Sequence, residues 1–176
     1  VALRSLAVSP PTLPSVRMVT LGTRELRAGL VLPEGHVPGT KLPVLMDPYG
    51  GPHAQRVLSV RSAWLEAQWL ADQGFAVLVV DGRGTAGRNP QWERQVHLDF
   101  AGPVLEDQID ALHAAGELEP DLDLTRVGIR GWSFGGWLAA LAVLRRPDVF
   151  HVGVAGAPVT DWALYDTFYT ERYLGT

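Results

Sequence analysis

The sequence predicts one α/β domain: a mostly parallel sheet with helices on both faces and an N-terminal antiparallel hairpin. Three observations carry this. Short apolar runs alternate with segments of helical period from about residue 42 onward. The run at 75–84 (FAVLVVDGRG) is continuously apolar up to its Asp-Gly, as in a strand buried on both faces. Two β-rich runs, 16–22 and 25–33, flank a short turn at Gly22-Thr23 and read as a hairpin.

The remaining elements follow in order. Residues 1–15 hold three of the 13 prolines and read as a linker arm, leaving 16–176 as the domain. Residues 42–52 (LPVLMDPYGGP) form a buried strand ending in a Gly-Pro loop. A helix spans 62–74, with Ser62 as N-cap and Gly74 as its stop. Residues 103–118 are amphipathic, with Leu105, Ile109 and Leu112 on one stripe. A strand at 126–131 leads into a helix over 134–146, closed by two arginines and Pro147. A further buried strand covers 151–159, and the tail 160–176 is rich in aromatics.

Composition narrows the function classes. The net charge of −4 implies neither a nucleic-acid nor an acidic-membrane partner. No apolar run reaches the roughly 18 residues of a membrane span, and the first residues lack the pattern of a signal peptide. Zero cysteines exclude disulfides and Cys-based metal sites and leave the compartment open. Neither a cofactor nor a metal is expected.

Two glycine motifs compete for the site. Gly131-Trp132-Ser133-Phe134-Gly135 lies between a strand and a helix, where a serine nucleophile needs a turn too sharp for bulky neighbours. Ser133 Oγ would stand at the carboxyl edge of the sheet, with the Phe134 N–H aimed at a developing oxyanion. Gly82-Arg83-Gly84-Thr85-Ala86-Gly87 also follows a strand and matches a dinucleotide fingerprint. Asn89-Pro90 would break its helix, and the acid expected about 20 residues on would be Glu106 or Asp107, within a helix. It is expected instead to be a loop where backbone passes close to backbone. The loop 47–53 (DPYGGPH) ends an earlier strand on the same sheet edge as Ser133. A Tyr49 hydroxyl or a Gly-Gly amide could supply the second oxyanion donor.

Taken together, DPYGGPH, DGRGTAGRN, GWSFGGWLAA and VAGAPVTDWALYDTFYTERYLGT resemble the catalytic domain of the prolyl oligopeptidase family, in its dipeptidyl peptidase IV branch. The resemblance runs from the hairpin to the last residue. It implies an α/β-hydrolase fold and a serine peptidase that cleaves peptides after proline or alanine and releases N-terminal dipeptides. It further implies that Ser133 is the nucleophile, that the Tyr49 hydroxyl and the Phe134 amide bind the oxyanion, and that Val159, Trp162, Tyr165 and Tyr169 wall the proline pocket. An apolar aromatic slot suits a small rigid ring.

The family's acid and base follow the serine in sequence. His151, the one histidine after Ser133, opens its strand, so a parallel pairing puts it roughly 20 Å away at the opposite sheet edge. His53 is on the right edge but precedes Ser133, and is expected to structure its own loop. His36, His97 and His113 are expected to lack partners. The chain is therefore expected to be part of a larger peptidase, inactive alone, with a β-propeller before it and the triad Asp, His and last strands after it. The resemblance leaves a homodimer of the full-length protein open. Other readings are an acylaminoacyl peptidase, an oligopeptidase or an esterase on the same fold, or a non-catalytic hydrolase module.

Overall fold

The computed structural model describes residues 6–8, 10 and 12–175. The expected linker arm therefore lies partly outside the described residues. Six strands form one sheet: β1 (Val16–Leu21), β2 (Leu26–Val31), β3 (Leu42–Met46), β4 (Ala76–Asp81), β5 (Leu122–Trp132) and β6 (Val152–Gly156). The α-helices are α1 (Leu65–Ala71), α2 (Pro90–Glu93), α3 (Ala101–Leu118), α4 (Phe134–Arg145) and α5 (Thr167–Leu174). The strand order is β1-β2-β4-β3-β5-β6. β1 and β2 are antiparallel, β2 runs antiparallel to β4, and the other pairs are parallel.

The apolar run of β4 is explained by helices on both sides. Leu78 and Val80 belong to the large core shared with α3 and α4. Val77 and Val79 point the other way, onto Trp64, Ala67 and Ala71 around α1. All six β4 residues are buried. The α3 stripe is buried at Leu105, Ile109 and Leu112 as its period requires.

Four local expectations are corrected. The hairpin loop has four residues, because Leu21 pairs with Leu26 and both Gly22 (φ 64°) and Glu25 (φ 53°) are left-handed. Ser62 does not cap α1: it sits inside a 3₁₀ turn, Arg61–Trp64, and no side chain caps the helix. The buried Trp64 ring sets that entry instead, lying on the bare backbone of Gly29 with its Nε1 donating to Leu58 O at 2.7 Å. Gly74 does end the helix as expected, at φ 100° with its N–H donating to Ala71 O at 2.8 Å. The strand after α4, read from its composition as buried, is exposed on one face and lies at the sheet edge, as the expectation that further strands follow it implies for these 176 residues alone. Among the described residues β6 pairs only with β5, Gly153 faces Val143 of α4, and Val152 and Val154 are 60% and 64% exposed on the other face.

The fourth correction concerns residues 82–87. Their glycines approach side chains rather than backbone. A Cβ on Gly82 would lie 2.8 Å from Asp107 Oδ2, on Gly84 2.8 Å from Val96, and on Gly87 2.6 Å from Gln55. Asp107, fully buried, accepts from Arg83 N at 2.6 Å and from Arg83 Nε at 2.9 Å, and Glu106 accepts from Arg83 Nη2. The two acids at the spacing of the dinucleotide fingerprint are bound to the loop's own arginine. Among the described residues, no helix is long and apolar enough to cross a membrane.

Candidate active site

Ser133 joins β5 directly to α4 with φ 58° and ψ −117°, a conformation closed to most L-residues. The turn is held by Ser133 N donating to Gly156 O of β6 at 2.9 Å and Trp137 N donating to Ser133 O at 2.9 Å. Glycines make room for it. A Cβ on Gly131 would overlap the Gly135 backbone, one on Gly135 would lie 2.6 Å from Pro48 O, and one on Gly136 would overlap Gly156 O. The bend thus packs against β6 and the loop after β3 at once.

That loop begins at Asp47, where β3 ends. Asp47 is buried and accepts from Arg56 Nη2 at 2.8 Å, with Arg130 Nε at 3.3 Å. Burial pushes its carboxyl up despite the two guanidiniums. Gly50 turns the chain at φ 74°, and a Cβ on Gly51 would lie 2.7 Å from the Phe134 ring. Tyr49 is thereby laid over Phe134, ring centroids 5.9 Å apart, on the wall of a hollow that it shares with Ser133. Burial, with the Tyr165 hydroxyl adding to it, raises the Tyr49 pKa above the ordinary phenol value, while the neighbouring Ser133 hydroxyl opposes. The phenol therefore keeps its proton at neutral pH.

The tail closes the site. Asp161 accepts from Ala163 N at 2.9 Å and Asp166 from Tyr169 N at 2.8 Å, so both carboxylates cap short helices. These caps bring Trp162, Tyr165 and Tyr169 together. Trp162 stacks on Tyr169 at 6.0 Å, and Tyr165 meets both rings edge-on. A cavity of about 80 Å³ is lined by Tyr49, Ser133, Phe134, Val159, Trp162, Tyr165 and Tyr169, together with His53. All seven residues singled out from the sequence thus meet around one hollow. Trp162 Nε1 and Tyr169 Oη are buried without a partner among the described residues, leaving two polar atoms on aromatic walls. Burial raises the Tyr169 hydroxyl well above the ordinary value.

His53 is the wall residue that sequence reasoning set aside. Its backbone is left-handed (φ 55°), its ring meets Tyr169 edge-on at 5.4 Å, and Nδ1 lies 3.4 Å from the Tyr173 hydroxyl. The sequence signal was its place four residues after Tyr49. His151 is where the strand argument puts it: its Nδ1 accepts from Val127 N at 3.1 Å, at the amino end of the β5–β6 pair. His36, expected to be unpartnered, pairs with Asp121 at 2.9 Å. Among the described residues no imidazole hydrogen-bonds to Ser133.

A serine on a strained strand-to-helix bend, at the carboxyl edge of a helix-flanked and mostly parallel sheet, defines an α/β-hydrolase. Residues 61–176 match the prolyl oligopeptidase family. The chain belongs to that family. It is 38% identical over 169 residues to dipeptidyl peptidase 8 of Mus musculus and of Homo sapiens, covering 95% of this chain and 19% of each relative. Prolyl endopeptidase FAP of Bos taurus is 34% identical over 146 residues, 83% of this chain and 19% of the relative. The crystal structure of Porphyromonas gingivalis dipeptidyl peptidase 4 superposes with a TM-score of 0.81 at 37% identity, over 93% of this chain and 23% of that one. The chain spans about a fifth of the length of the curated relatives it matches.

Proposed function

We propose that this chain carries the nucleophile half of a serine peptidase that cleaves after proline or alanine and releases N-terminal dipeptides. The observation that carries the reading is the 80 Å³ cavity, which joins the strained serine and the Tyr49 hydroxyl to an uncharged aromatic slot. Such a slot is matched to a small ring and offers no counter-charge to a lysine or arginine. The names of the relatives point the same way.

In this reading Ser133 Oγ bonds to the scissile carbonyl carbon and gives its proton to a histidine outside these 176 residues. The carbonyl π electrons move to oxygen, and the oxyanion accepts from Tyr49 Oη–H and Phe134 N–H. Collapse breaks the C–N bond, and the leaving amine takes the proton. Water then hydrolyses the Ser133 ester by the same path. Asp and His from the longer chain complete the triad, and the 176 residues alone are inactive.

The test uses the full-length enzyme. A fluorophosphonate probe should label Ser133, and Gly-Pro-anilide should turn over. Tyr49→Phe should lower kcat by about 10²-fold with little change in KM, as loss of an oxyanion donor does. Fast turnover of simple esters with none of prolyl peptides would favour an esterase, and no labelling at Ser133 would remove the nucleophile assignment.

A further inference from the structure

A second hollow, of about 490 Å³, lies next to the catalytic one, and its chemistry is different. Arg94, Arg172 and His97 line it, with Glu93 as the one acid among its described lining residues, and Pro52 of the loop after β3 and Tyr173 of α5 complete the wall. Neither arginine has a carboxylate within salt-bridge distance among the described residues, and the same holds for Arg27, Arg61 and Arg145; what sets Arg94 and Arg172 apart is that both line one hollow.

The hollow is built, not a gap between loose segments. Asn89 caps α2 by accepting from Trp92 N at 2.8 Å, and this fixes the turn that carries Arg94. Leu98 N donates to Tyr173 O at 2.8 Å, tying that segment to the end of α5. The Arg172 guanidinium rests 5.4 Å from the Tyr173 ring. The two arginines, both exposed, are thus carried by segments that are bonded to each other.

Its distance from the catalytic cavity is set by α5. Tyr169 walls the aromatic slot, and Arg172 and Tyr173 follow it at i+3 and i+4, one turn or about 5–6 Å along the helix. An extended peptide advances about 3.4 Å per residue. A side chain one or two residues from the one in the slot therefore comes within reach of Arg172, and of the hollow that Arg94 also lines.

Building on the peptidase reading above, we infer that this hollow is a specificity subsite for a carboxylate side chain flanking the residue held in the aromatic slot. Guanidinium pairs carboxylates with two parallel hydrogen bonds. The surplus of positive groups over Glu93 gives the site its sign. The carboxylate could belong to the residue before the one in the slot or to a residue beyond the scissile bond.

Matched substrates separate these two sources. In the full-length enzyme, Glu-Pro-coumarin amide is compared with Gln-Pro-coumarin amide, and a quenched Ala-Pro-Glu-Phe peptide with Ala-Pro-Gln-Phe. We expect one pair to show a glutamate-to-glutamine ratio in kcat/KM of about three to ten at low salt, shrinking as salt rises. The pair that shows it identifies the side. The ratio should fall to about one in Arg94→Gln/Arg172→Gln and part of the way in Arg94→Gln, a single change on an exposed turn. Ser133 labelling by fluorophosphonate reports that each variant is folded. Ratios near one in both pairs, or a ratio that survives the double change, would overturn the subsite while leaving the peptidase reading intact. Failure to cleave any prolyl substrate would remove both.

Discussion

At Ser133 the backbone is held at a positive φ by packing on three sides, and the side chain makes no helix cap. Glycine occupies that region freely, while serine and alanine do not. Ser133→Gly should therefore unfold at higher temperature than Ser133→Ala, by about 1 kcal/mol in stability. Thermal denaturation of the two variants side by side checks this; equal stability would mean the turn carries no strain. The bend at this residue was legible in the sequence, because glycines at −2 and +2 around a serine between a strand and a helix fit a turn too sharp for bulky neighbours. It did not disclose what each glycine touches. Gly136 faces Gly156, 20 positions away, and only the pairing of β5 with β6 creates that contact.

For single elements the sequence was legible where one pattern sufficed and silent where two distant residues cooperate. The burial of β4 and the stripe of α3 follow from periodicity alone. The start of α1 does not, because it depends on Trp64 finding a strand glycine 35 residues upstream. Gly29→Ala tests this. In a strand interior the change ordinarily gains stability, but here the new methyl would occupy the Trp64 ring, which is fully buried and tethered at Nε1. A loss of about 3 kcal/mol is expected in denaturant unfolding, and unchanged stability would show that the ring can shift.

The start of β5 offers a pH test. Asp123 accepts from the Thr125 hydroxyl at 2.5 Å, from Arg126 Nε at 2.7 Å and from Thr125 N at 3.0 Å. Together these hold its carboxyl down at about 2, from an ordinary 3.8. A depressed carboxylate contributes stability above its unfolded value and loses it as pH falls through the folded one. Asp123→Asn should therefore melt below wild type at pH 7, with the gap closing between about pH 4 and pH 2. A gap that persists at the acid end would assign the loss to shape rather than charge.

Across the whole molecule, the decisive feature is the uneven cover of the sheet. α1 lies on one face near β2 and β4, and α3 and α4 on the other. On the α1 side the β5–β6 end carries an open apolar groove of about 720 Å³ that includes Phe75, Trp132, Val152 and Val154. Such an edge is prone to pair with other chains. The isolated 176 residues should self-associate on sedimentation, and Val152→Lys/Val154→Lys should reduce that without lowering the melting temperature. A monodisperse wild-type chain would count against this. The apolar run at 151–159 looked like an interior strand because composition reports what a strand can bury, not which neighbours are there to bury it. Likewise the tail aromatics carry no signal of their own for the hollow they wall, since only the fold brings α5 against the loop after β3.

The bond from Ser133 N to Gly156 O has one more consequence. The Ser133 amide proton is lent to the outermost strand, so its exchange with solvent deuterium counts the openings of β6 rather than of the buried sheet. An observer following that single proton would watch the candidate site being assembled or released from the margin of the molecule inward.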